Sequence, residues 1–247
     1  MRKSALILSV SLVALASCGG GGGGASAPAA RPIITNNLRI FKTGDFIQYK
    51  VTGSVTSQGV TSTVSGTGSF SIAVGASPVD PKGVKHSVNG MVMNVTTNQG
   101  VPITSNFQNY FEQSPTGSWQ QYGDSVSGWI VTPAAGFITS LQSPIVAGSS
   151  WVYQYTQQNG DSVVGQVTVI GKAVVSTSLG AFETYKIQTT ETITYAAGGS
   201  DKVSETDYLV PSIGPVHMVV NTTGTNGAGV ATTSSFTFDA VTTSIPY

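Results

Sequence analysis

The chain has 247 residues, 11 acidic and 11 basic, and only 9% of it is charged, against about 25% in typical soluble domains. A neutral, weakly charged chain offers no field to gather nucleic acid or an anionic surface, which excludes nucleic-acid binding. A single cysteine excludes an internal disulfide, so a fold of this size must rest on its apolar core and backbone ladders.

In chain order, Met1, Arg2 and Lys3 give a basic start, and residues 5–16 form an apolar run. A membrane span needs roughly 20 such residues, so this is the layout of a secretory signal. Leu15-Ala16-Ser17-Cys18 closes the run. The order Leu, small, small, Cys resembles the lipobox of bacterial lipoproteins. That resemblance implies a signal peptide over 1–17, cleavage before Cys18, and lipid on the Cys18 thiol with acylation, as by palmitate, of the new amino end. The membrane is then a partner through the N-terminal lipid. Gly19 stands where enterobacterial lipoproteins retained in the inner membrane carry aspartate. The resemblance therefore implies the outer membrane, with the periplasmic and cell-surface sides both open. Residues 18–35 read as a lipid-anchored flexible linker. Six glycines at 19–24 and the Ser, Ala and Pro that follow cannot pack, and the segment to residue 32 reaches roughly 20 Å.

Beyond residue 33 no window sustains a 3.6-residue apolar period, while many alternate. The clearest are Ile47, Tyr49 and Val51; Trp151, Tyr153 and Tyr155; Val163, Val167 and Val169; Tyr185, Ile187, Ile193 and Tyr195; and Val216, Met218 and Val220. Gly, Asn, Asp and Pro separate them, so the expected fold is all-β, of antiparallel strands with one dry and one wet face. The halves also resemble each other. KTGDFIQYKVT at 42–52 aligns with VAGSSWVYQYT at 146–156, and Gly75, Gly83, Tyr110 and Gly117 align with Gly171, Gly180, Tyr208 and Gly214. Two similar β units follow, at 36–135 and 140–243, the second opening on a hairpin about eight residues shorter. Curved-sheet, half-barrel and sandwich forms all satisfy this pattern.

Gly148-x-x-Trp151-x-Tyr153, Gly180-x-Phe182-x-x-Tyr185-Lys186-Ile187 and Gly214-x-Val216 resemble the marks of an uncharacterised β domain of bacterial lipoproteins. The domain is distantly similar to the half-barrel carriers of the Lol type, which implies an apolar concave face. The first unit departs from these marks, with Ile47 in the place of Trp151.

Motifs for chemistry are missing. There is no Gly-x-Ser-x-Gly elbow, zinc motif, phosphate loop or calcium loop, so no cofactor and no metal are expected. His86 and His217 are the only neutral-pH bases and read as surface residues. Glu205 and Asp207 share a strand face near Asp201; they read as a solvated, charged edge, with a calcium pair or glycosidase pair as the alternative. Tyr110, Phe111, Trp119, Tyr122 and Trp129 read as core and rim, or as a binding platform. Glu191 falls on the apolar face of Tyr185, Ile187, Ile193 and Tyr195, where a carboxylate is costly. A bulge near Thr189 is the favoured resolution, and a pocket the other.

The functional expectation is a non-enzymatic outer-membrane lipoprotein that binds an unidentified protein partner or scaffolds an assembly at the cell envelope. The alternative is a carrier or sensor of an acyl chain or lipoprotein, its apolar ligand held in a cavity lined by Trp151, Tyr153, Ile187, Glu191 and Ile193. A hydrolase of unfamiliar type, built on His86 or His217, is the third.

Overall fold

The structure, a computed structural model, describes residues 29–75, 78–225 and 228–247. The signal peptide, Cys18 and the glycine run lie outside the described residues. Thirteen strands follow in order: β1 (Phe46–Ser57), β2 (Val60–Ala73), β3 (Ser87–Thr97), β4 (Pro102–Gln113), β5 (Trp119–Asp124), β6 (Gly128–Thr132), β7 (Ile138–Leu141), β8 (Ser150–Gln157), β9 (Ser162–Thr177), β10 (Gly180–Thr194), β11 (Ser200–Val210), β12 (Gly214–Thr225) and β13 (Ala231–Thr243).

All pair antiparallel in one sheet, in the order β4-β3-β2-β1-β13-β12-β11-β10-β9-β8-β6-β5, and β5 pairs back onto β4. The sheet therefore closes on itself as a barrel, with β7 pairing beside β6 on β5. The all-β antiparallel expectation matches the structure, and closure removes the free edges that a half-barrel or sandwich would keep.

The two halves enter this ring in the same way. The last strand of each pairs with the first of the other, β13 with β1 and β6 with β8. The Gly44 N–H donates to the Ile72 carbonyl and the Ile72 N–H to that of Asp45, both at 3.0 Å; Gly148, Val169 and Ser149 repeat the pattern at 2.7 and 2.9 Å. Gly44 and Gly148 both take positive φ, 91° and 82°, at the turn entering the strand. The span from 148 to 169 is seven residues shorter than that from 44 to 72, close to the expected eight. A register shift also falls at Tyr110/Phe111 in β4 and at Tyr208/Leu209 in β11. One difference from the alignment is that Gly171 sits at a shift inside β9, whereas Gly75 lies beyond the end of β2.

Alternation decides the faces. In β1, Ile47, Tyr49 and Val51 are buried while Gln48, Lys50 and Thr52 are exposed. An exterior of Gln, Lys and Thr suits water, whereas a membrane-spanning barrel carries an apolar band outside. Inside, β1, β2, β12 and β13 pack Tyr49, Phe70, Val220, Phe236 and Phe238 into the largest apolar cluster. Residues 31–45 cross one end of the barrel. The Arg31 N–H donates to Ala181, Arg39 to Pro211 and Phe41 to Gln113 Oε1, at 2.8–2.9 Å, and Asn36 accepts from Ile145 at 2.8 Å. Leu38 and Phe41, both 5% exposed, thereby floor the interior.

Candidate functional site

The half of the barrel away from β1 and β13 is not filled. A cavity of about 260 Å³ lies there, floored by Leu38 and Phe41 and walled by side chains of β2–β5 and β7–β12. Its volume is that of about nine liquid waters. Phe107, Trp119, Tyr153, Tyr155, Ile187 and Met218 give it an apolar and aromatic lining, and Glu191, Glu205, Asp207 and Asp124 are its charged groups. No lysine or arginine lines it.

The acids reach the interior by simple alternation. β10 keeps one register with β9 and β11 from Ile187 to Thr194, so Glu191 shares the inner face of Ile187 and Ile193. The bulge expected near Thr189 does not form; the register shift lies at Lys186/Ile187 instead, and Glu191 lines the cavity. The Tyr153 hydroxyl donates to Glu191 Oε1. Burial pushes the Glu191 carboxyl above the ordinary carboxylate range, and the tyrosine hydrogen bond pulls it partly back. Burial, and then the charge of Glu191, push the Tyr153 and Tyr155 hydroxyls well above theirs.

Glu205 and Asp207 correct the reading of a wet edge. β11 is an inner member of the ring between β10 and β12, and Val203 and Leu209 on the same alternating face are buried. Both acids therefore point into the cavity. Burial first, then the charge of Asp207 and a hydrogen bond to it, raise Glu205 well above the carboxylate range. Asp207 is pushed up to about 6, chiefly by burial, while the Glu205 hydrogen bond and the His217 charge pull it down. Burial raises both carboxyl groups of the pair, and Glu205 is the more strongly raised partner. Asp207 Oδ1 is shielded from solvent and has no partner, and the same holds for Asn89 Oδ1 and Trp119 Nε1. All three residues line the cavity. Val203 and Leu209, two residues to either side of the acids, were the sequence signal that gave this orientation.

Of the residues named from sequence, Tyr153, Ile187, Glu191 and Ile193 meet at the cavity. Trp151 stands outside its lining: it packs on the cluster of Ile145, Val167 and Leu209, and its indole N–H donates to the Thr139 carbonyl at 3.2 Å. The aromatic group of the first unit divides between the two faces. Phe111 and Trp119 stack inside at 4.7 Å between centroids, while Tyr122 and Trp129 pack on His86 at 4.2 and 5.4 Å.

His86 is buried at 2% exposure, correcting its surface assignment. Asp80 Oδ1 accepts the Lys82 and Val84 N–H groups at 2.8 Å, which folds the preceding loop back and brings Asp80 Oδ2 to 3.4 Å from the ring, with Glu112 Oε1 at 3.5 Å on the other side. His217 is half-buried, with Nδ1 at 2.6 Å from Asp239 Oδ1. Neither histidine lines the cavity.

Fold and site together define a closed antiparallel β-barrel with an acidic, aromatic lumen of small-molecule size. No family model matches the chain, and no curated protein matches it in sequence. Among solved structures, a crystallised protein from Parabacteroides distasonis ATCC 8503, provisionally described as a lipoprotein, is similar at a TM-score of 0.34 and 10% identity; the match covers 85% of this chain and 98% of that one. At that level the likeness carries no argument about function.

Proposed function

We propose that this chain is a bacterial outer-membrane lipoprotein, held by lipid on Cys18, that binds a small amphipathic molecule in the lumen of its barrel without transforming it. The observation that carries the reading is the uneven interior. The side of β1 and β13 is packed solid, while the opposite side keeps an open cavity with three polar atoms lacking partners. Buried polar groups in native folds are rarely left so, and a concave, largely apolar site with a few convergent polar groups is the usual form of a ligand pocket. The lipobox at 15–18 and the glycine-rich linker support the anchor. The outward Gln48, Lys50 and Thr52 of β1 suit a strand that stands in water on that anchor. An interior site of this kind favours a small ligand over a scaffolding partner.

Native mass spectrometry of protein purified from its own membrane tests the binding. The expected result is a one-to-one adduct beyond the acylated chain, lost in Ile187→Trp, which fills the lumen. An adduct-free protein whose Ile187→Trp variant is simply more stable would show the cavity to be a packing defect.

A further inference from the structure

Resting on that luminal reading, we propose that the ligand carries an organic cation, an ammonium on an apolar or aromatic body, seated against Glu205 and Asp207. Three independent features converge on this class. First, the titratable carboxyl groups of the lumen face no lysine or arginine among the lining residues, so an anionic head such as a fatty carboxylate finds no cation to pair with there. Second, Asp207 Oδ1 is shut off from solvent without a donor. A buried carboxylate oxygen in that state calls for a donor from the ligand, and an ammonium brings up to three. Third, aromatic rings form part of the remaining wall: Tyr153, Tyr155 and Trp119 border the same space, and ring faces attract cations most strongly where water is excluded.

The same features select an organic cation over a metal ion. Among the described residues no three His, Cys, Asp or Glu side chains are grouped to hold a metal, and Glu191 is already engaged by the Tyr153 hydroxyl. Phenyl and alkyl surface around the acids suits a carbon skeleton. On the opposite wall Asn89 of β3 pairs in register with Asn109 of β4, and Gln121 Nε2 donates to Asn109 Oδ1 at 3.4 Å. The unpartnered Asn89 Oδ1 gives that wall an acceptor for a second polar group on the ligand.

The test titrates three probes of nearly equal size into the full-length protein in detergent: 2-phenylethylamine, 2-phenylethanol and 3-phenylpropanoate. Calorimetry and Trp fluorescence read the binding. The amine should bind at least tenfold tighter than the alcohol, and the carboxylate weakest. The double variant Glu205→Gln/Asp207→Asn should bring the amine to the level of the alcohol while leaving alcohol binding in place. Equal amine and alcohol affinities in the wild type, which need no variant to interpret, or tighter binding of the carboxylate, would overturn the cation while leaving a luminal site. Failure of all three probes, with Ile187→Trp no different from wild type, would remove the luminal site and the cation together.

Discussion

Tyr153 and Glu191 lie two strands apart and still share a hydrogen bond, because the residue between them in register is Gly165. The phenol ring lies across the bare glycine. A Cβ on Gly165 would come within 2.3 Å of two carbons of the Tyr153 ring.

Gly165→Ala should therefore displace the ring and detach its hydroxyl from Glu191. Overpacking of this kind costs about 1–3 kcal/mol, and denaturant unfolding should show it. In a Tyr153→Ala background the same substitution should cost little, since the clashing ring is gone. An equal cost in both backgrounds would place the effect in the backbone and break the link between the three residues.

The ring of strands is not uniformly strong. β1 and β13 pair along residues 47–57, whereas β6 holds β8 through Ile130↔Gln157 and Thr132↔Thr156, and β5 through Gly123↔Trp129 and Asp124↔Gly128. Gly128 opens β6 and Pro133, which has no N–H to donate, follows it. Amides of 128–132 should exchange with deuterium well before those of 47–57, as locally sparse ladders open at lower free energy. Matching protection of the two segments would mean that the barrel opens only as a whole.

Much of this fold was legible because period-two alternation survives in almost every strand. Ile47-x-Tyr49-x-Val51 predicts its own burial, and the 42–52 and 146–156 segments mark equivalent turns. The closure of the ring was not legible, since it depends on β6, a five-residue strand too short and too glycine- and proline-bounded to announce itself. At the site, Glu191 was visible as an exception to its apolar face. The acids of β11 read as a wet edge because charge masks an alternating face that Val203 and Leu209 carry into the interior. The burial of His86 is not legible in the sequence, because it comes from a loop folding back through Asp80, a contact that no periodicity encodes.

The anchor is tested apart from the barrel. Labelled palmitate should enter the wild-type protein, and Cys18→Ala should leave the label out and move the protein from the membrane to the soluble fraction. Two or more acyl chains give stable attachment, each buried methylene adding about 0.8 kcal/mol. Wild-type protein that takes up no label would remove the lipid anchor without touching the reading of the lumen.

Stability should fall as pH rises through the acidic range, and the sign follows from Asp207. Its carboxyl is raised to about 6 in the fold, whereas an unfolded aspartate titrates near 3.9. Between these values the folded chain holds a proton that the unfolded chain has released, so unfolding becomes more favourable with each step up in pH. Glu205 and Glu191, also raised, act in the same direction, with the Tyr153 and Tyr49 hydroxyls neutral throughout this range. His217 on β12 opposes them while it is charged, by favouring the Asp207 carboxylate. Asp80 and Glu183, lowered by backbone hydrogen bonds from the Val84 and Ile33 N–H groups, carry the opposite slope, but that slope falls at and below the ordinary carboxylate range, so it adds little above about pH 5. Denaturant midpoints should decline from pH 4 to pH 7, and Asp207→Asn should flatten the decline. A midpoint that climbs over that interval, unchanged by Asp207→Asn, would mean that the lumen is wet enough to leave its carboxylates ordinary.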